Sequence, residues 1–157
     1  MIVVVPYADG MLHSRVFPAI RRQGYEPEAI ECVPSYQQVL AQLWLRLMAG
    51  DDIAVVEHDV ESRIGALRSF EDCPELHCFH PYKFNQPFED VGLEYAPLGH
   101  TRFRSALGEI LRELSWSEPW RALSYRDLDH LIGKHLAAHG VVPHRHELTV
   151  IHHHDYH

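Results

Sequence analysis

The chain has 157 residues, 46% of them hydrophobic and 23% charged, with 9 Gly and 10 Pro, which is the balance of one globular domain spanning residues 1–157. Its net charge of −8, from 14 Lys and Arg against 22 Asp and Glu, has the wrong sign for a protein whose main task is coating nucleic acid. Three cysteines (Cys32, Cys73, Cys78) without a Cys-x-x-Cys pair argue against a disulfide framework, a zinc ribbon and a thioredoxin-type centre.

Every apolar run is far shorter than the roughly 20 residues that cross a bilayer. With no signal-peptide pattern and few cysteines, a soluble, cytoplasmic protein without a membrane span is expected. A domain of this length needs no metal merely to stay folded, so metal-ligating residues can be read as chemistry.

Residues 2–5 are four β-branched residues in a row, too short for a helix and apolar on both faces, so they predict a buried strand of a parallel sheet. Pro6 to Gly10 then reads as a loop. Leu12, Val16, Ala19 and Ile20 recur at helical spacing up to Gly24, and a weak strand follows over 28–33. Ser35 and Gln38 form a capping-box pattern before a helix carrying Val39, Leu40, Leu43, Trp44, Leu47 and Met48. A third strand covers 53–56, and Ile64, Leu67 and Phe70 mark the next helix.

Further strands are expected over 76–79 and 93–98, separated by a polar, aromatic, loop-like interval. Phe103, Leu107, Ile110, Leu111 and Leu114 make one helix; Ser124 with Asp127 opens another that ends at Gly140. A last strand covers 148–152. Strands alternating with helices in this way predict a three-layer α/β sandwich with a mostly parallel sheet, whose ligands sit at the carboxyl ends of the strands.

The sharpest chemical feature is Glu57-His58-Asp59, where a buried strand runs into two carboxylates spaced i, i+2, on one side of an extended chain. Two such acids repel unless a cation sits between them. Mn²⁺ or Mg²⁺ holding a diphosphate supplies one, with imidazole acceptable to Mn²⁺ as a further ligand. The bland alternative is a solvated strand end with Asp59 capping the next helix.

Histidine is the compositional outlier: of 14, seven lie between His135 and His154, and His157 closes the chain. His152 and His154, again i, i+2, are candidates to complete a metal site with Asp59; His144 and His146 form a competing pair, and a frayed terminus is the alternative. Asp127 and Asp129 open a helix after Trp116 and Trp120, so a carboxylate there suits a general base facing a sugar hydroxyl. Asp127 completes the capping box, which leaves Asp129 as the preferred base; core packing is the plain role for the tryptophans.

Gly99-His100-Thr101-Arg102 offers a close backbone approach to a ligand, or only a turn. The phosphate-loop, dinucleotide-fingerprint, nucleophile-elbow and zinc-protease motifs are missing from the sequence. Metal-assisted group transfer remains.

The order of these features resembles nucleotide-sugar-dependent glycosyltransferases of the A-type fold, in particular the small glycosyltransferase-like proteins of actinobacteria and their phages. The resemblance implies a donor site at Pro6, Tyr7, Glu31, Glu57 and His58, and a metal held by Asp59 with His152 or His154. It also implies an acceptor side at Gly99, His100, Arg102, Trp116 and Trp120, with Asp129 or Asp127 as base. The implied reaction moves a sugar from a nucleoside-diphosphate sugar to an acceptor hydroxyl with inversion, assisted by Mn²⁺ or Mg²⁺.

The acceptor stays open among a carbohydrate, a protein, a small molecule and a modified DNA base. For the last, Arg102, Arg104, Arg112, Arg121 and Arg126 would form a local basic surface. The shortness of the chain points to a large acceptor, a partner subunit or a homodimer completing the pocket. Metal-dependent nucleotidyl or phosphoryl transfer, and a non-catalytic nucleotide- or metal-binding module, are the alternatives.

Overall fold

The structure is a computed structural model that describes residues 1–8, 10–31, 37–84, 95–117 and 125–153. Strands β1 (Ile2–Tyr7), β2 (Pro27–Glu31), β3 (Ile53–Val56), β5 (His77–Phe79), β7 (His100–Phe103) and β8 (His144–Arg145) form a six-stranded sheet in the order β2-β1-β3-β7-β5-β8. All its pairings are parallel except those of β7, which runs against both β3 and β5. The sheet is therefore mostly parallel and the fold α/β. Strands β4 (Val60–Glu61), β6 (Tyr82–Phe84) and β9 (Val150–His152) make a second, three-stranded sheet in the order β4-β9-β6.

Five α-helices lie among the described residues: α1 (Val16–Arg21), α2 (Gln37–Met48), α3 (Ala66–Asp72), α4 (Gly108–Ser117) and α5 (Tyr125–Ala138). Strand alternation decides which face each side chain joins. Val3, Val5, Ala54 and Val56 enter a core with Val16 and Ile20 of α1 and Leu67 and Phe70 of α3. Val4, Ile53 and Val55 enter a second core with Leu43 of α2, Leu111 of α4 and Ile132 of α5. Burial on both faces is why β1 and β3 read as unbroken apolar runs.

Helix α4 can start close against α2 because Gly108 lacks a Cβ; one placed there would lie 3.1 Å from the Met48 backbone nitrogen. No helix among the described residues is long and apolar enough to cross a membrane.

Several elements differ from the sequence reading. β1 continues through Pro6 and Tyr7 instead of turning, pairing Pro6 with Ile30 and Tyr7 with Glu31. The ladder to β3 stops at Val4 and Val55, so proline lies where β1 has a paired neighbour on one side only. The strand expected over 93–98 is replaced by β7, where the sequence pattern suggests a turn; residues 95–98 are not strand, and 93 and 94 lie outside the described residues.

The physical reason is that β7 is polar yet fully buried. His100 Nε2 lies 2.9 Å from Ser62 Oγ, Thr101 Oγ1 donates to Pro97 O at 2.6 Å, and Arg102 donates to backbone carbonyls. Phe103 consequently ends a strand instead of opening a helix. Ile64 is exposed and precedes α3, which begins after Gly65 at a left-handed φ of 88°.

Candidate functional site

The carboxyl ends of three adjacent parallel strands collect the first site residues. Tyr7 and Glu31 are register partners at the ends of β1 and β2, and Glu57 directly follows β3. The Glu57 N–H donates to Gly99 O at 2.7 Å, which anchors the strand end.

Beyond Glu57 the chain is not extended as expected. It turns, Val60 N–H donating to Glu57 O at 3.0 Å, and enters β4 at once. Asp59 therefore sits on a turn between two strands and caps no helix.

The small sheet then brings the distant end of the chain to this turn. β4 pairs antiparallel with β9, placing Val60 opposite His152, and His153 N–H donates to Asp59 O at 2.9 Å. His152 Nε2 comes to 3.4 Å from Asp59 Oδ2. Glu57, Asp59 and His152 each offer one ligand atom, and the three atoms lie within 4.8 Å of one another. His154 lies outside the described residues. His153 turns elsewhere, its Nε2 3.0 Å from Glu61 Oε2 and its ring stacked on His13 at 4.2 Å. His58 is buried with Nε2 3.9 Å from Asp59 Oδ2; burial lowers its pKa, and Asp59 only partly offsets this.

Tyr82 of β6 completes the group, and sequence reasoning missed it. Its hydroxyl donates to Glu57 Oε2 at 3.2 Å and its ring lies 5.3 Å from that of His152. A Cβ on Gly99 would fall on the phenol oxygen of Tyr82. The space beside Gly99, expected to admit a ligand, is thus filled by Tyr82. The period-2 pair Tyr82 and Phe84 is the signal that would have marked β6 as a strand.

On the adjacent side, a cleft of about 620 Å³ is lined by Tyr95, Pro97, Asp127, Asp129, His130 and Lys134, among others. Asp129 Oδ1 accepts the Leu98 N–H at 2.6 Å. Burial pushes the Asp129 carboxyl up to about 7, with the Leu98 bond working in the opposite direction. Asp127, in the first turn of α5, is exposed on the same cleft.

Burial also pushes Glu57 well above the ordinary carboxylate range, and the charges of Asp59 and Asp129 add to the effect. Tyr82 rises as well, first by burial and then by the charges of Glu57, Asp129 and Asp59. These acids sense one another across the strand ends, the electrostatic state that a bound cation relieves.

Other expected residues are placed differently. His100 and Arg102 do not face the cleft. His100 is buried against Phe70, ring centroids 5.0 Å apart, and Arg102 is fully buried with its guanidinium on Glu75 O at 2.7 Å and Cys73 O at 3.0 Å. Arg104 donates to Asp52 Oδ2 at 2.6 Å. A basic surface built on Arg102 is therefore not formed. Trp116 has its backbone in α4, while its side chain lies outside what is described; so do Trp120, Arg121 and the side chain of Arg126.

No family model and no curated protein matches the chain. Among solved structures, the crystal structure of A197 from STIV is similar with a TM-score of 0.54 at 13% identity, over 99% of this chain and 87% of that one. A glycosyltransferase involved in the glycosylation of the major capsid of PBCV-1 is similar with a TM-score of 0.47 at 10% identity, over 93% of this chain and 82% of that one. At 13% identity the first of these speaks to the fold alone, and the chemistry has to be argued from the site.

Proposed function

We propose that the chain is a metal-dependent glycosyltransferase with the three-layer A-type arrangement, moving a sugar from a nucleoside-diphosphate sugar to an acceptor hydroxyl. The observation that carries this reading is the meeting of Glu57, Asp59 and His152, with Asp129, whose charge acts on Glu57, lining a cleft.

Two carboxylates and one imidazole with mutual spacings under 4.8 Å fit Mn²⁺ or Mg²⁺, which prefer oxygen donors and, for Mn²⁺, accept nitrogen. When bound, such an ion supplies Lewis-acid stabilisation of the departing diphosphate. Tyr82 fixes Glu57 through Oε2, and the β4–β9 pairing fixes Asp59 against His152. Tyr7 and Glu31, neighbours at the ends of β1 and β2, line the strand-end edge where the nucleoside of the donor lies.

Asp129 acts as general base. Its Oδ1 is held by Leu98 N–H, so its other oxygen takes the acceptor hydroxyl proton. The freed oxygen attacks the anomeric carbon, the bond from that carbon to the diphosphate breaks with its electron pair, and the nucleoside diphosphate leaves with inversion. A carboxyl titrating near pH 7 is matched to this work.

The test is a panel of nucleotide sugars with Mn²⁺, followed by the nucleoside diphosphate released and by thermal stabilisation on donor binding. Release that depends on Mn²⁺ and disappears in Asp59→Asn is expected. Release of pyrophosphate would assign nucleotidyl transfer instead, and Mn²⁺-dependent donor binding undiminished by Asp59→Asn would remove the site.

A further inference from the structure

A second cluster of ligating atoms lies away from the strand ends, around β5 and the edge strand β8. Cys73 is the residue after α3, Cys78 is the middle of β5, and His146 follows β8, its N–H donating to Phe79 O at 2.9 Å. The two sulfurs and one ring nitrogen of His146 lie within 4.8 Å of one another. We propose that Cys73, Cys78 and His146 bind a zinc ion that ties the end of α3 and β5 to the segment following β8.

Hydrogen bonding separates His146 from its histidine neighbours. His77 uses both ring nitrogens, on Arg102 O and Tyr95 Oη, each at 2.9 Å. His80 does the same, with Nδ1 on Leu148 O at 2.8 Å and Nε2 shared by Ser69 Oγ and Ala66 O. Both are structural histidines with nothing left for a ligand. His146 Nε2 is buried and makes no hydrogen bond among the described residues, a costly state that metal coordination or a proton-bearing partner relieves. Stacking on His80, with ring centroids 4.6 Å apart and planes 24° from parallel, holds the ring in place.

The donor chemistry selects the ion. Two thiolates and an imidazole make a soft set suited to zinc and poorly suited to Mg²⁺ or Mn²⁺, the reverse of Glu57, Asp59 and His152. Three protein ligands leave the fourth tetrahedral position to water.

Both thiols are buried, and burial pushes that of Cys78 up to about 12, so zinc binding has to displace protons. The fully buried Arg102 guanidinium acts on Cys78 in the other direction and favours the thiolate, the kind of outer contact that tunes a metal–sulfur site. The same ion would steady the stretch that leads from His146 to His152. The inference stands independently of the transfer reaction.

Histidines in the C-terminal stretch and the acids of the first site also take divalent metals, so the test needs a signal that sulfur alone produces. Co²⁺ added to the full chain, purified under reductant, gives a thiolate-to-cobalt charge-transfer band when bound by cysteine. The band is expected in the wild type and in Cys32→Ser, whose remaining thiols are Cys73 and Cys78, and zinc should displace it. Cys78→Ser should lose the band and His146→Asn should weaken it, with circular dichroism confirming that each variant is folded.

The wild-type and Cys32→Ser spectra decide the matter even if Cys78→Ser fails to fold. Absence of the band in both overturns the proposal. So does its full persistence in His146→Asn or in folded Cys78→Ser, or recovery of a Cys73–Cys78 disulfide from zinc-treated protein kept under reductant.

Discussion

The two ends of β3 carry acids in opposite electrostatic states. At the amino end, Asp52 accepts Ser105 N–H at 2.8 Å and pairs with Arg104 at 2.6 Å. Although burial alone would raise its pKa, these partners hold it below the ordinary carboxylate value. At the carboxyl end, Glu57 is pushed up by burial and then by the acids around it, and Asp129 is pushed up by burial. One end neutralises its acid within the fold. The other keeps several acids together in an arrangement that favours a proton or a metal ion, which is how a binding site differs from a structural ion pair.

The largest test of that contrast is Asp59→Asn. If the crowded end exists to hold a metal against a diphosphate, the substitution should lower Mn²⁺-dependent nucleoside diphosphate release by roughly 10³-fold or more, since the metal's Lewis-acid role is worth several kcal/mol. The sulfur–cobalt band of the second cluster should be unchanged in the same protein. Loss of both signals together would mean that the variant unfolds and that the two clusters have not been separated.

Asp129→Asn comes next, with an expected fall in kcat of about 10²- to 10⁴-fold and donor-dependent stabilisation retained. In the wild type, kcat should rise with pH through an apparent pKa near 7, because the base works only when unprotonated. Stability should run the other way. A folded-state pKa above the unfolded value of about 3.9 means that the folded protein binds the extra proton, so this residue's contribution falls as pH rises from about 4 to 7. Asp129→Asn should therefore raise stability above pH 7 by roughly 1–3 kcal/mol and leave it little changed near pH 4, as measured by urea denaturation.

Gly99 tests whether Tyr82 belongs to the acidic end. Gly99→Ala places a methyl group on the Tyr82 phenol, so the ring must leave Glu57 or the strand end must shift; a cost of about 1–3 kcal/mol is expected. Tyr82→Ala in the same protein should relieve much of that cost, giving a coupling that a double-mutant cycle reads directly. Additive losses would show that Gly99 serves only the local backbone.

Much of this contrast is legible in the residues alone, and the unreadable parts share a cause. Residues 2–5 and 53–56 announce themselves because strands buried on both faces are apolar throughout. Glu57, Asp59, Asp129 and His152 stand out because acids and histidines at element ends have few structural duties. β7 hides because His100 and Arg102 are buried by virtue of partners far away in sequence, such as Ser62 and Cys73, which hydropathy does not register. Tyr82 hides for the same reason: its role depends on Gly99 and Glu57 meeting it in space. The turn at Asp59 is invisible until β9 arrives to pair with β4, nearly a hundred residues later.

The smallest expected effect lies at the amino end. Asp52→Asn keeps an oxygen for Ser105 N–H and removes only the charge facing Arg104. The pair is partly solvated, with side-chain exposures of 28% and 25%, so the loss should be about 1 kcal/mol or less at pH 7. Its folded-state pKa is lowered, so the stabilisation is present above the unfolded pKa of about 3.9 and lost as pH falls through the folded value. The difference between wild type and variant should thus close toward pH 3, and kcat should not change. Asp52→Asn and Asp129→Asn are therefore expected to move stability at pH 8 in opposite directions. If both stabilise, Asp52 is as burdened as the acids at the far end of the strand, and the crowding there no longer distinguishes a site.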